Sequence, residues 1–372
     1  MTSRSTPLKS RLDKWLASNK PSAISSDSED RPGDQLPLSF GQLRLWLLQQ
    51  MNPNSPFYIY AESYRITGGL QLERFTESFK KVVSRHDILR TTFPAEEGKP
   101  WQKIHSQLEP EILVAHLAAE EADTFLSTEA KKPFDLLNGP LVRLVIVQID
   151  KQHYRAAVVM HHIITDKWSM NILREEWVSL YQGNTLPPLD IQYADFAIGQ
   201  RGRQMEDKYL QFWKEKLAGD LPVMELPGSK PRSGSPSFEG AFSQQEFSSQ
   251  VSEQISALTN KLQITGFTFF LTVFNILLAK YSGSLDLLVA TPVTNRDRTQ
   301  LEKVIGFFNE TIILRSVLAE EMTFGEALNQ VKTTVLEAFA NKDVPFESLV
   351  RSLKPVVRLL FANRLRTPSL VS

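Results

Sequence analysis

At 372 residues the chain is longer than one hydrophobic core usually serves, so its length predicts two lobes of ordinary size. Formal net charge is zero and the basic and acidic residues are interleaved, which argues against electrostatic capture of nucleic acid. There is no cysteine, which excludes disulfides, thiolate metal sites and a cysteine nucleophile.

The N-terminal stretch Lys9–Leu16 is amphipathic and lacks the continuous apolar centre of a signal peptide. No run is long and apolar enough to span a bilayer. A cytoplasmic protein without membrane contact is the expectation.

In chain order, residues 1–34 predict a short helix (Pro7–Ser18) and a disordered polar linker rich in Ser, Asp and Pro. Order is expected from Leu36. Ser39 can cap a helix whose apolar stripe runs through Leu43, Trp46 and Leu47. Phe57–Ile66 reads as a strand. Leu72–His86 reads as an amphipathic helix with Phe75, Phe79, Val82 and Val83 inward. Ile88–Phe93 and Trp101–Ile104 suggest short strands, and Ile112–Ala130 reads as one helix. Leu141–Ile149 is nearly all apolar, as in a strand covered on both faces, and a turn at Asp150–His153 leads to a second strand, Tyr154–Met160. Tyr193–Leu217 reads as helical. Pro227–Pro236, rich in Gly, Ser and Pro, is the expected lobe boundary, giving lobes at 35–226 and 237–372. Helices follow at Ser252–Leu262 and Phe269–Tyr281, then strands at Leu287–Val293 and Phe307–Leu318. Thr323 with Glu326 forms a capping box that opens a helix to about Asn341. Mixed strands and helices in both halves predict an α/β (α+β) fold of two similarly built layers.

The chemistry concentrates at the end of the second buried strand, Met160-His161-His162-Ile163-Ile164-Thr165-Asp166-Lys167-Trp168-Ser169. A metal site, a structural histidine with a capping aspartate, and a proton-handling histidine with Asp166 organising the turn are three readings of it. Adjacent strand residues point to opposite faces, so His161 and His162 do not readily share one ion. The spacing also lacks the helical histidine pair with glutamate of zinc enzymes. The residues alone leave the other two readings open.

Six motifs occur in order along the chain: SFGQLRLWLL (39–48), RHDILRTTF (85–93), MHHIITDKWS (160–169), YADFA (193–197), IGFFNETIILR (305–315) and NKDVPFE (341–347). As an ordered set they resemble the condensation domain of nonribosomal peptide synthetases. The resemblance implies two chloramphenicol-acetyltransferase-like lobes in a V-shaped pseudo-dimer, with a tunnel between them. It implies an acyltransferase that forms amides: the amine of a carrier-bound acceptor attacks a carrier-bound donor thioester. No cofactor would be bound directly, because phosphopantetheine arms on partner carrier proteins deliver both substrates. Donor and acceptor peptidyl carrier domains and an adjacent adenylation domain are the implied partners, with the chain itself monomeric.

Carried over to this sequence, His162 matches the histidine facing the tunnel and His161 the more structural one. Asp166 matches the aspartate that pairs with an arginine, best matched by Arg296 and next by Arg298. Asn309 matches the asparagine of the fifth motif, and Trp168 and Ser169 the tail of the third. Arg44, Arg85, His86 and Arg90 are expected to be scaffold, and Tyr193 and Asp195 packing and capping.

Three departures stand out. Lys167 occupies the position of a family glycine, where the resemblance implies that it either modifies the tunnel beside the histidine or points its flexible stem to solvent. Gly199 stands where the fourth motif usually carries tryptophan. After Val356 the chain reads VRLLFANRLRTPSLVS, where the resemblance predicts further sheet, so the second lobe is expected to be incomplete and C-terminally truncated. A non-catalytic relative, serving as a docking or recruitment module or an inert remnant, is therefore the alternative to a working enzyme. A stand-alone acyltransferase and an epimerase-type relative fit the full motif set less well.

Overall fold

The computed structural model describes residues 35–203, 207–228 and 243–352. The expected N-terminal helix and linker, most of Pro227–Pro236 and the tail from Leu353 lie outside these. The chain divides into two compact units, Met1–Arg203 with Thr294–Asn309, and Gln204–Val293 with Glu310–Ser372. The division falls at Arg203, before the Gly/Ser/Pro stretch, and the connection 294–309 returns to the first unit.

The first unit is built on a four-stranded sheet. Its strands are β1 (Ile59–Thr67), β2 (Glu111–His116), β3 (Val142–Gln148) and β4 (His153–His161), in the order β1-β4-β3-β2. β3 and β4 are apolar on both faces and almost wholly buried, as central strands require. β1 alternates half-buried and exposed residues, as an edge strand with one wet face does. β4 pairs antiparallel with both neighbours, which sets Ile59 and Leu141–Val142 beside the His161 end of the strand.

β2 corrects the sequence reading, which ran one helix through Ile112–Ala130. Glu111–His116 pairs in parallel with β3, and the helix, α3, spans Ala119–Ala130. The cause is tertiary. β3 offers a full row of backbone groups, and Arg143 on β3 donates from Nε to Glu111 Oε2 at 2.6 Å and from Nη1 to the Glu129 carbonyl at 3.0 Å. Short apolar runs such as Ile112–Val114 have no period of their own to decide between strand and helix. Ile88–Phe93 is also corrected: Asp87–Arg90 forms a short 3-10 helix, and only Thr91–Thr92 pairs with Lys103–Ile104.

The helices of this unit are α1 (Phe40–Met51), α2 (Leu72–Arg85), α4 (Lys167–Tyr181) and α5 (Tyr193–Gly202), besides α3. Ser39 and Gln42 form a capping box at the start of α1. The Gln42 side chain then donates to the Ile163 carbonyl at 3.2 Å, bringing α1 onto the turn that follows β4. α2 and α4 pack through Trp177, whose ring lies 4.2 Å from Phe75 and 4.9 Å from Phe79 between centroids. Its indole N–H donates to the Phe75 carbonyl at 2.9 Å. Glu176, on the same helix, binds both Arg85 Nε at 3.2 Å and the buried His86 at 2.8 Å. Burying each such apolar side chain contributes on the order of 1.5–3 kcal/mol.

The second unit contains α6 (Asp207–Lys216), α7 (Ser249–Leu262), α8 (Gly266–Ser282), β5 (Asp286–Thr294), β6 (Asn309–Val317), α9 (Phe324–Ala340) and α10 (Phe346–Ser352). β5 and β6 form a two-stranded sheet beneath α8 and α9. Thr323 and Glu326 make the expected capping box. Arg315 and Asp286 pair at 2.7 Å within the sheet.

The returning segment 294–309 is held tightly to the first unit. A Cβ on Gly306 would stand 1.9 Å from a ring carbon of Tyr193, a fully buried side chain. Tyr193 hydrogen-bonds Ser39 Oγ at 2.8 Å and donates to the Phe307 carbonyl at 2.5 Å, so its ring cannot step aside. Gly306→Ala is therefore expected to destabilise by about 3 kcal/mol or more, the upper end of overpacking costs. A denaturant midpoint unchanged from the parent would contradict this.

Candidate active site

β4 ends at His161, a 3-10 turn covers His162–Ile164, and α4 starts at Lys167 with Asp166 as its N-cap. The two adjacent histidines have different fates. His161 is buried among core residues. Its Nδ1 accepts from the Ile163 N–H at 3.1 Å, so the proton sits on Nε2, which faces Gln49 Oε1 at 3.4 Å. Burial, with a smaller push from His162, drives its pKa down to about 3. It is a neutral structural imidazole.

His162 is only half-buried. Its Nδ1 lies 2.6 Å from the Thr165 carbonyl, which can only accept, so Nδ1 carries the proton. Nε2 is left with its lone pair. Edge-to-face contacts with Tyr60 (5.8 Å) and Phe307 (5.1 Å) fix the ring plane. Burial holds its pKa below the ordinary histidine value. The Thr165 hydrogen bond and the Asp166 charge oppose that shift, and the Arg44 charge adds to it.

Asp166 is 1% exposed, and its carboxylate is fully engaged. Oδ1 accepts from the Ser169 N–H at 2.7 Å as the helix cap, and Oδ2 from the Phe308 N–H at 3.1 Å. Arg296, not its neighbour Arg298, supplies the opposing charge: Nη2 lies 3.2 Å from Oδ1 and 3.4 Å from Oδ2. The same nitrogen donates to Ser169 Oγ at 2.8 Å, while Nη1 donates to the Leu301 and Val304 carbonyls at 2.5 and 2.7 Å. Ser169 Oγ completes the knot by donating to the Gly306 carbonyl and accepting from the Gly306 N–H. The Arg296 guanidinium carbon also lies over Phe308, 3.9 Å from the ring centre.

Trp168 is half-exposed and donates from its indole to the Glu302 carbonyl at 2.9 Å. Asn309 opens β6, and its carbonyl would stand 3.2 Å from a Cβ on Gly41. Among the described residues no hydrogen bond joins the Asn309 side chain to His162 or Asp166. Lys167 points outward and binds Glu62 on β1 at 3.3 Å. A Cβ on Gly199 would meet nothing within 4 Å. Among the described residues no three His, Cys, Asp or Glu side chains are grouped to hold a metal.

Sequence reasoning missed the Thr165 carbonyl that sets the His162 tautomer, and the Tyr193 hydroxyl that anchors Phe307 beside it. The first is backbone and has no side-chain signal. The second is visible as a motif tyrosine, but a tyrosine at that position reads as packing until its hydroxyl partners are known.

The family profile described as Condensation domain matches residues 33–359. The chain belongs to this family. Curated relatives of this condensation domain include a linear gramicidin synthase of Brevibacillus parabrevis, 37% identical over 86% of the chain and 6% of the relative. Another is phosphinothricin tripeptide synthetase PhsC of Streptomyces viridochromogenes, 36% identical over 86% of the chain and 31% of the relative. The domain thus spans less than a third of the curated relatives it matches. Among solved structures, the X-domain from teicoplanin biosynthesis superposes with a TM-score of 0.80 at 24% identity, covering 88% of this chain and 75% of that one. The same X-domain has been solved in complex with OxyB, with TM-score 0.79 and 25% identity over 90% of this chain and 77% of that one. The condensation domain of the monacolin K polyketide synthase MokA gives 0.75 at 26% identity over 86% of this chain and 76% of that one. The condensation domain has the mixed α/β fold of these structures. Among the described residues no single helix is long and apolar enough to cross a membrane.

Two measurements test the site's energetics. Asp166→Ala leaves Arg296 as an uncompensated buried charge and is expected to cost about 3–5 kcal/mol in chemical denaturation. Adding Arg296→Met should recover part of that loss. A second test concerns His161. The unfolded chain binds its proton near pH 6.5 and the folded one only near 3, so stability must fall as pH drops through that window. The contribution lost at pH 5 is about 2 kcal/mol. A His161→Gln variant should show a flatter stability profile between pH 6.5 and 3, and an unchanged slope would contradict the assignment.

Proposed function

We propose that this condensation domain joins a donor acyl or peptidyl thioester to the α-amine of an acceptor aminoacyl thioester, each carried by a partner carrier domain. The amine nitrogen attacks the thioester carbonyl, the C–S bond breaks, and the donor arm leaves as a thiol. His162 is the group read as handling the amine's proton. Its Nδ1–H is committed to Thr165, so the Nε2 lone pair is the side available to an acceptor. This tautomer is the single observation that carries the reading.

The protonation states suit the task. An α-amine has a pKa of about 7.7–8.0, so much of it is protonated at neutral pH. A histidine held below the usual value stays neutral there and accepts or orients a proton without first losing its own. Asp166 and Arg296 act through the turn: they fix its backbone, and the turn fixes the ring. Phosphopantetheine belongs to the carriers, and an adenylation domain would load them. The domain itself is read as needing no bound cofactor.

A second reading, a docking module without chemistry, draws on two observations. The teicoplanin X-domain is known in complex with OxyB. Lys167 also places a long side chain where the family resemblance expects glycine.

Mixing the protein with an acyl-loaded and an aminoacyl-loaded carrier separates the two. We expect amide product, reduced about 10²- to 10⁴-fold by His162→Ala with the fold retained. The rate should rise from pH 6 to 8 as the amine loses its proton. Carrier binding without product supports the docking reading, and a His162→Ala variant at full rate sinks the proton-handling role.

A further inference from the structure

One charged cluster beside the histidine turn is not used by the chemistry above. Lys167 is the first residue of α4, and its ammonium lies 3.3 Å from Glu62 Oε2 on β1. Arg174, two turns further along α4, places Nη1 3.4 Å from Glu62 Oε1. One carboxylate thus serves two cations, and the cluster carries one positive charge more than it neutralises. Asp166, the adjacent carboxylate, is buried and committed to Arg296.

The cluster reaches the histidine through Tyr60. Tyr60 and Glu62 alternate onto the same half-buried face of β1, and the Tyr60 ring packs against His162. The Lys167 ammonium interacts with the Tyr60 hydroxyl as well as with Glu62. The Lys167 side chain is nevertheless 63% exposed, so its ammonium stays open to solvent beside Tyr60, the residue that packs against the ring.

We propose that Lys167 makes this site selective for an acceptor that carries a carboxylate side chain. The inference rests on the reading of His162 as the acceptor-facing group. An incoming carboxylate would share the ammonium with Glu62, which keeps Arg174 as its own partner. A lysine acting only as a plug would disfavour all acceptors alike and would be indifferent to salt. A selecting charge discriminates between acceptors of equal size and weakens as salt screens it.

Two pantetheine thioethers, one bearing an aspartyl and one an asparaginyl group, are the probes. They match in size and differ in charge. Calorimetric titration of the whole chain should show the aspartyl probe binding about fivefold more tightly at low ionic strength, as a partly exposed ion pair allows. The difference should shrink in about 0.5 M salt. Lys167→Gln should abolish it, and Glu62→Gln, which removes the competing carboxylate, should widen it. Equal affinities, tighter asparaginyl binding, no binding of either probe, or a preference that survives Lys167→Gln overturns the proposal. Turnover with aspartyl- and asparaginyl-loaded carriers separates this failure from that of the parent reading. Amide product without preference sinks the selectivity alone. A binding preference without product from either acceptor sinks amide formation and leaves the carboxylate site standing.

Discussion

A carboxylate in a protein interior must be matched, and Asp166 is matched four times over. It takes a helix-capping N–H from Ser169, the N–H of Phe308, and two contacts from one guanidinium nitrogen of Arg296. Ser169 belongs to α4, whereas Phe308 and Arg296 both come from the returning segment 294–309. The carboxylate therefore sets the start of α4, the path of the segment returning at 294–309, and through both the position of Phe307 against His162. Charge-assisted hydrogen bonds in a desolvated site are strong and intolerant of partial satisfaction. Such a centre has one arrangement or none, which suits a turn that must hold an imidazole in one tautomer.

The paired histidines show how local geometry divides labour between two identical side chains. Strand alternation sends His161 into the packed interior and leaves His162 at the strand's end, where the backbone bends away. The backbone supplies an N–H donor to one ring and a carbonyl acceptor to the other. The two rings consequently carry their protons on opposite nitrogens. Both assignments are set by a backbone partner of the ring.

Much of this was legible in the residues. The apolar runs at Leu141–Ile149 and Tyr154–Met160 have no polar face to offer water, so buried strands were the only economical reading. The caps at Ser39, Asp166 and Thr323 were visible because each side chain has a local backbone target. The motif order supplied the family and pointed to Arg296. What was not legible was long-range. Glu111–His116 became a strand because of a partner some thirty residues away. The close approach of Gly306 to Tyr193 depends on more than a hundred residues of intervening chain, and nothing near either residue announces it. The role of the Thr165 carbonyl could not be read at all, since every residue has one.

The return of residues 294–309 to the first unit has a consequence for biosynthesis. Arg296 lies 130 residues beyond Asp166 in the chain. A ribosome adding about 5–20 residues per second exposes the aspartate many seconds before its guanidinium emerges from the exit tunnel. Through that interval the Arg296 partner of Asp166 is not yet available to it. The last stage of maturation for this half of the molecule must therefore wait on translation of the other, and slow codons between the two would lengthen the period in which a chaperone has something to guard.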